Sequence, residues 1–234
     1  NTNLSLTADA ILSSTAPLSL ATLSTNGHDF KLANGTTDLT LTNNFTLSSG
    51  KLSTQGGDLI FAGNANISSG ASLDATVTTG TAGKLEFKQG GTASGTINAE
   101  KATFKLGADY AVDGDLITNS GTTWELGTSD LDLSGGELLL GGNVVLDNII
   151  TDNQTRFKLN GENATVTRNQ GFTLRAVDFT DYTFTLGSAT TDVTFDLRSS
   201  SGGGSPEGTL ATQNADFTIL GNPEITAGTI ISST

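Results

Sequence analysis

Cysteine is absent from this 234-residue chain, so disulfide bonds, thiol chemistry and Cys-ligated zinc are all excluded. Histidine occurs once, so any Ser-His-Asp arrangement would have to use His28, and Asn26-Gly27-His28-Asp29 reads as a turn instead. Charge is scarce and one-sided: 15% of residues are charged, with 11 Lys and Arg against 24 Asp and Glu, a net charge of -13 and a pI near 4.2. Affinity for a phosphate backbone needs clustered cations, so nucleic acid is not an expected partner, and an anionic membrane surface is disfavoured for the same reason. No apolar run approaches the roughly 18 residues that span a bilayer, which argues against membrane insertion by this segment. A basic stretch ahead of an apolar one, as in a signal peptide, is not found at the N-terminus. Sustained 3.6-residue periodicity is missing too, which predicts almost no helix.

What the chain does have is 29 glycines, much Thr, Ser and Asn, and few but evenly spread apolar residues. The stretch 39–74 states one unit twice. Leu39-Thr40-Leu41, Phe45-Thr46-Leu47, Ser48-Ser49-Gly50 and Leu52 are followed, at an offset of 20, by Leu59-Ile60-Phe61, Ile67 and Ser68-Ser69-Gly70, with the last apolar residue one place later at Leu73. Leu18-Ser19-Leu20 precedes them by 21. Self-similarity at such a period marks a solenoid, in which each repeat buries its apolar face only against its neighbours. Asn26-Gly27 and Asn34-Gly35 also fit hairpin turns, but a meander of hairpins has no need of so long a repeat.

The same tripeptide recurs as Phe157-Lys158-Leu159, Phe172-Thr173-Leu174, Phe184-Thr185-Leu186 and Phe195-Asp196-Leu197. Two-residue alternation puts its first and third side chains on one face and the second on the other. Lys84-Leu85-Glu86-Phe87-Lys88 is echoed at an offset of 17 by Lys101-Ala102-Thr103-Phe104-Lys105. Phe104-Lys105-Leu106-Gly107 is echoed in turn, at an offset of 20, by Trp124-Glu125-Leu126-Gly127. The second echo predicts that Lys105 faces Glu125 across one strand spacing. The stretches 78–83 and 198–208 read as loops, the latter a protruding Gly/Ser loop. Together these features predict an all-β, single-stranded, right-handed parallel β-helix over residues 1–234, with about 11 coils of roughly 20 residues. The pattern runs from Leu4 to Ile231, so the chain is expected to be a segment of a longer protein with flanking repeats on the same polypeptide.

The Leu/Phe-x-Leu faces joined by Asn-Gly and Ser-Ser-Gly turns resemble the passenger regions of bacterial surface adhesins of the autotransporter and filamentous-haemagglutinin type. That resemblance implies a secreted, cell-surface adhesin or stalk, used for attachment to host or surface glycans or proteins or as a rigid spacer, and not an enzyme. A polysaccharide lyase or hydrolase and a phage tailspike-like fibre are the alternatives for such a fold. No catalytic residue is assigned, and no cofactor is expected other than calcium on an acidic face. Asp113, Asp115, Asp130 and Asp132 are the candidate metal ligands, because two Asp-x-Asp pairs 17 apart could stack hard oxygen ligands on one outer face. Arg156, Arg168 and Arg175 are the candidate ligand-binding residues. Arg156 and Arg175 lie 19 apart, close to one coil, and stacked guanidinium groups clamp carboxylated or sulfated sugars.

Overall fold

An apolar-polar-apolar tripeptide buries both apolar side chains on one side of a strand, and a chain of such tripeptides joined by turns must therefore wrap around its own core. The computed structural model describes residues 2–77, 83–178, 182–188, 191–196, 208–220 and 229–232. Among these, every regular element is a β-strand, and the strands form a parallel β-solenoid of about nine turns with no helix. Two compact units are present, Asn1–Ile117 with Gly121–Leu131, and Thr118–Ser120 with Asp132–Thr234.

In the first unit each turn visits three faces. Face 1 stacks Ala10–Leu12, Phe30–Leu32, Gly50–Ser53, Ala71–Asp74, Thr96–Asn98 and Asp115–Ile117. Face 2 stacks Leu18–Leu20, Leu39–Leu41, Leu59–Phe61, Lys84–Phe87, Thr103–Leu106 and Thr123–Glu125. Face 3 stacks Phe45–Leu47, Ala65–Ile67, Gly91–Ala93 and Tyr110–Val112. Asn26 and Gly27 both have positive φ, 49° and 85°, and Thr25 C=O accepts the His28 N–H, the geometry of a hairpin turn. The strands it joins nevertheless stand in different faces, so the turn serves as a corner.

The expected register holds across the most regular coils: Leu18 pairs with Leu39, and Leu39 with Leu59. Elsewhere it stretches. Leu59 pairs with Leu85 and Leu73 with Ile97, offsets of 26 and 24. Such longer coils account for about nine turns in place of the eleven expected. The predicted echo of 17 between Lys84 and Lys101 is corrected to 19, since Leu85 pairs with Phe104. Apolar identity alone could not separate the two alignments. The loops expected at 78–83 and 198–208 fall outside the described residues apart from Gly83 and Gly208, and Gly208 already lies in the strand Gly208–Ala211.

The second unit is built on longer strands. Glu137–Val145 pairs along Arg156–Thr167, with a register break where Leu140 and Gly142 face Leu159 and Ala164. The first half of Arg156–Thr167 continues to Ala176–Asp178, and its second half continues to Thr183–Leu186, Gly208–Ala211 and Thr229–Ser232. Phe172–Leu174, Val193–Asp196 and Phe217–Leu220 stack separately.

Inward positions form columns of like residues. In the first unit Phe61 and Phe87 stack in one column of face 2 with ring centroids 5.1 Å apart, and Phe104 and Trp124 follow Leu85 in the adjacent column and meet edge-on. Between columns, Phe104 lies 5.7 Å from Phe87, and Phe45 of face 3 lies 5.4 Å from Phe61. Each such side chain contributes on the order of 1.5–3 kcal/mol by burial, and pairing of aromatic rings adds about 0.5–1.5 kcal/mol. One column breaks the rule for a reason. Between Ala65 and Tyr110 stands Gly91, at φ 137°, where a Cβ would run into the Ala65 carbonyl. Tyr110 fills the room that glycine leaves, packs on Phe87 at 4.3 Å, and donates its hydroxyl to that same Ala65 C=O at 3.0 Å. Burial pushes its phenol far above the ordinary value.

Tyr110→Phe should therefore cost about 1 kcal/mol of unfolding free energy, for one lost hydrogen bond. Gly91→Ala should cost more than Tyr110→Phe, because it combines the clash with a disfavoured φ. Urea titration followed by near-ultraviolet circular dichroism measures both.

Candidate functional site

The side chains that could carry chemistry are the carboxylates, amides, arginines and lysines on the outer faces, and most of them sit beside corners. A strand entering from a corner begins with a backbone N–H that needs a partner. In the first unit an Asp or Asn side chain on the preceding coil supplies it. Asp9 accepts the Asp29 N–H at 3.0 Å, and Asp29 accepts that of Lys51 at 2.8 Å. Asp38 does the same for Asp58 at 2.9 Å, Asp58 for Lys84 at 2.8 Å, and Asn44 for Asn64 at 3.0 Å. The second unit repeats the device, with Asp147 accepting from Asn169, Asn163 from Thr183, and Asp192 from Asp216. Within the corners, buried threonines bridge coils from inside: Thr37 donates to Ser14 C=O, Thr118 to Leu139 C=O and Thr155 to Leu133 C=O.

Three of the four candidate metal ligands belong to the first unit. Asp130 stands on Asp109, whose carboxylate accepts its N–H at 2.9 Å, and Tyr110 N–H donates to the Asp130 carbonyl. The local offset between coils is thus 21, and the expected stacking of Asp130 on Asp113 is not formed. Asp113 accepts the Ser94 hydroxyl at 3.4 Å, and Asp115 is exposed at the start of the next strand on face 1. Asp132, in the second unit, accepts the Ser134 N–H as a local turn. Among the described residues no group of three or more His, Cys, Asp or Glu is placed to hold a metal ion.

The arginines lie in the second unit. Arg156 is exposed and pairs in register with Glu137 on one side and Ala176 on the other. Arg175 donates its N–H to Thr155 C=O, so its sequence spacing lands it one place short of Arg156. Arg168 is half-buried at a corner, its guanidinium carbon 5.8 Å from the Phe172 ring centre. Desolvation lowers its pKa while the charge of Asp147 works to raise it. Thr191 ties its main chain by accepting from Arg168 N–H and donating to Arg168 C=O. The structure thus does not bring these arginines into one stack.

Sequence reasoning missed the densest array of charge. On face 2 of the first unit Asp58, Lys84, Glu86, Lys105 and Glu125 form a ladder of alternating sign, with successive N···O distances of 3.8, 3.2, 3.8 and 3.4 Å. The Lys105–Glu125 pair is the one the spacing predicts, with the two residues in register. Glu86 is only 8% exposed and flanked by two ammonium groups. Its place follows from the observed pairing with Lys105, which the echo between Lys84 and Lys101 obscures. On face 1, Lys51 contacts Asp74 at 2.5 Å, and Thr76 donates to Asp74 through both N–H and hydroxyl. Burial works to raise the pKa of Asp74, but the bonds from Lys51 and Thr76 together outweigh it and hold the carboxyl below its ordinary value. Asp152 is also held low: burial works to raise its pKa, but bonds from Gln154, Thr155 and Gly135 together outweigh it.

A carboxylate depressed in the folded state contributes stability that is present above its unfolded value, about 3.9, and lost as pH falls through the folded value. Asp74→Asn should lower stability at pH 7 by roughly 1 kcal/mol, and the gap from the parent chain should begin to narrow as pH falls below about 4. Urea midpoints measured from pH 7 to pH 3 test this, and a gap unchanged across that range would contradict it. Comparison of the chain with protein-family models, with curated proteins and with solved structures returns no match.

Proposed function

We propose that this chain is an extracellular segment of a bacterial surface protein that acts as an adhesive module or a rigid spacer. One observation carries the reading: a recurring set of the outer polar side chains is bonded to the backbone or charges of the next coil. Asp9, Asp29, Asp38, Asp58 and Asp109 each accept an N–H from the following rung. Face 2 sets its opposite charges against each other. Such a solenoid commits its polar groups to continuity from coil to coil, which suits a part that carries load or holds binding loops away from a surface. Its partners on this reading are glycans or proteins of a host or surface, together with flanking repeats of the same polypeptide.

The test is a glycan array probed with the labelled chain, followed by incubation of any bound or acidic polysaccharide with the chain and analysis of chain length. Retention of one glycan class without shortening supports the adhesive role, and absence of both binding and shortening supports the spacer. Shortening of a polysaccharide would overturn the proposal in favour of a polysaccharide-cleaving enzyme.

A further inference from the structure

Three Asn-Gly pairs occur in the chain, at Asn26-Gly27, Asn34-Gly35 and Asn160-Gly161. In such a pair the glycine main-chain nitrogen can attack the asparagine side-chain amide carbon. A bond forms between that nitrogen and Cγ, the Cγ–Nδ2 bond breaks, and Nδ2 leaves as ammonia with the proton the glycine gives up. Water then opens the five-membered succinimide to aspartate or isoaspartate. The reaction needs a nucleophilic nitrogen that is not otherwise engaged, donors at the carbonyl oxygen where negative charge develops, and a nitrogen free to leave.

The three asparagines differ in these respects. Asn34 has an Oδ1 that accepts from Thr36 N–H at 3.0 Å and the Thr36 hydroxyl at 2.8 Å, and the Thr37 hydroxyl, 3.1 Å away, shares its one proton between this oxygen and Ser14 C=O. A backbone N–H can only donate, so the atom facing it is the oxygen and the amide orientation is fixed. The bond to Thr36 N–H closes a turn around Gly35, and no described group accepts from Asn34 Nδ2 or from the Gly35 N–H. Asn26 has the opposite arrangement. Its Nδ2 donates to Leu6 C=O at 2.8 Å and to the Ser5 hydroxyl at 3.0 Å, while its Oδ1 accepts only from Ser24, at 2.8 Å. Asn160 likewise commits its Nδ2, to Thr118 C=O at 2.8 Å.

We propose that Asn34 is a self-modification site, at which the folded chain deamidates through Gly35 faster than at either other Asn-Gly pair. The consequence is local. Thr37, whose hydroxyl proton is shared between Asn34 Oδ1 and Ser14 C=O, also accepts the Ser14 N–H, so this corner joins two coils. Isoaspartate lengthens the main chain by one methylene at that corner and adds a negative charge, which loosens the link to Ser14.

The experiment incubates the folded chain at mildly alkaline pH and quantifies aspartate and isoaspartate at the three positions by peptide mapping. Asn34 should be converted several-fold faster than Asn26 and Asn160. Thr36→Ala, which removes one donor to Oδ1, should slow Asn34 alone. Gly35→Ala should slow it further without loss of fold, because an added Cβ would stand 3.4 Å from the Gly56 carbonyl oxygen, an ordinary contact. Equal or faster conversion at Asn26 or Asn160, no conversion at Asn34, or an Asn34 rate indifferent to Thr36→Ala would each overturn the proposal.

Discussion

The parallel register between successive coils is the constraint on which everything else rests. A three-residue face is too small to bury its own apolar side chains, so Leu39 and Leu41 are buried only because Leu18 and Leu20 lie below them and Leu59 and Phe61 above. Register also sets the corners, since a side chain can cap the next rung only if it stands level with the residue whose N–H it accepts. Asp38 and Asp58 satisfy this on face 2, and Asp9 and Asp29 on face 1. A slip of one residue would turn every column inside out.

This constraint explains how so few charges are used. The chain is acidic overall, yet many of its described carboxylates stand where positive partners or backbone N–H groups meet them, at the rung spacing the coil imposes. A ladder of opposite charges on one face costs less in side-chain order than separate pairs, because Lys84, Glu86 and Lys105 each serve two neighbours. Its contribution is to register more than to stability. The proposed role as an adhesive or spacer segment follows the same line: what a coil needs in order to stack is also what makes the outer faces regular.

Much of the fold is legible in the sequence, because the inward alternation of Leu/Phe-x-Leu is a direct consequence of the strand period. The offsets of 21 and 20 linking Leu18, Leu39 and Leu59 are the observed register. The sequence misleads where the coil length changes. Aligning Lys84 with Lys101 matches residue types but ignores that a coil can lengthen at a loop, and it hides Glu86 from its partner Lys105. The candidate acids and arginines mislead for a related reason: their offsets of 17 and 19 resemble rung spacings, whereas Asp109 caps Asp130 and Arg156 pairs with Ala176. The corner carboxylates carry a visible signal, an Asp or Asn one residue before the strand at Asp38 and Asp58 and again at Asn44 and Asn64. Gly91 and Tyr110 carry none, since that exchange depends on three coils at once.

Side chains at the corners hold each coil to the next as firmly as the strands do. Amide hydrogen exchange resolved at single residues measures it most directly, at the N–H groups of Asp29, Lys51, Asp58 and Lys84. Protection of these corner amides comparable to that of Leu41 and Phe61 within the strands is the predicted result. Exchange at the rate of an unstructured chain, with the strands still protected, would contradict the account.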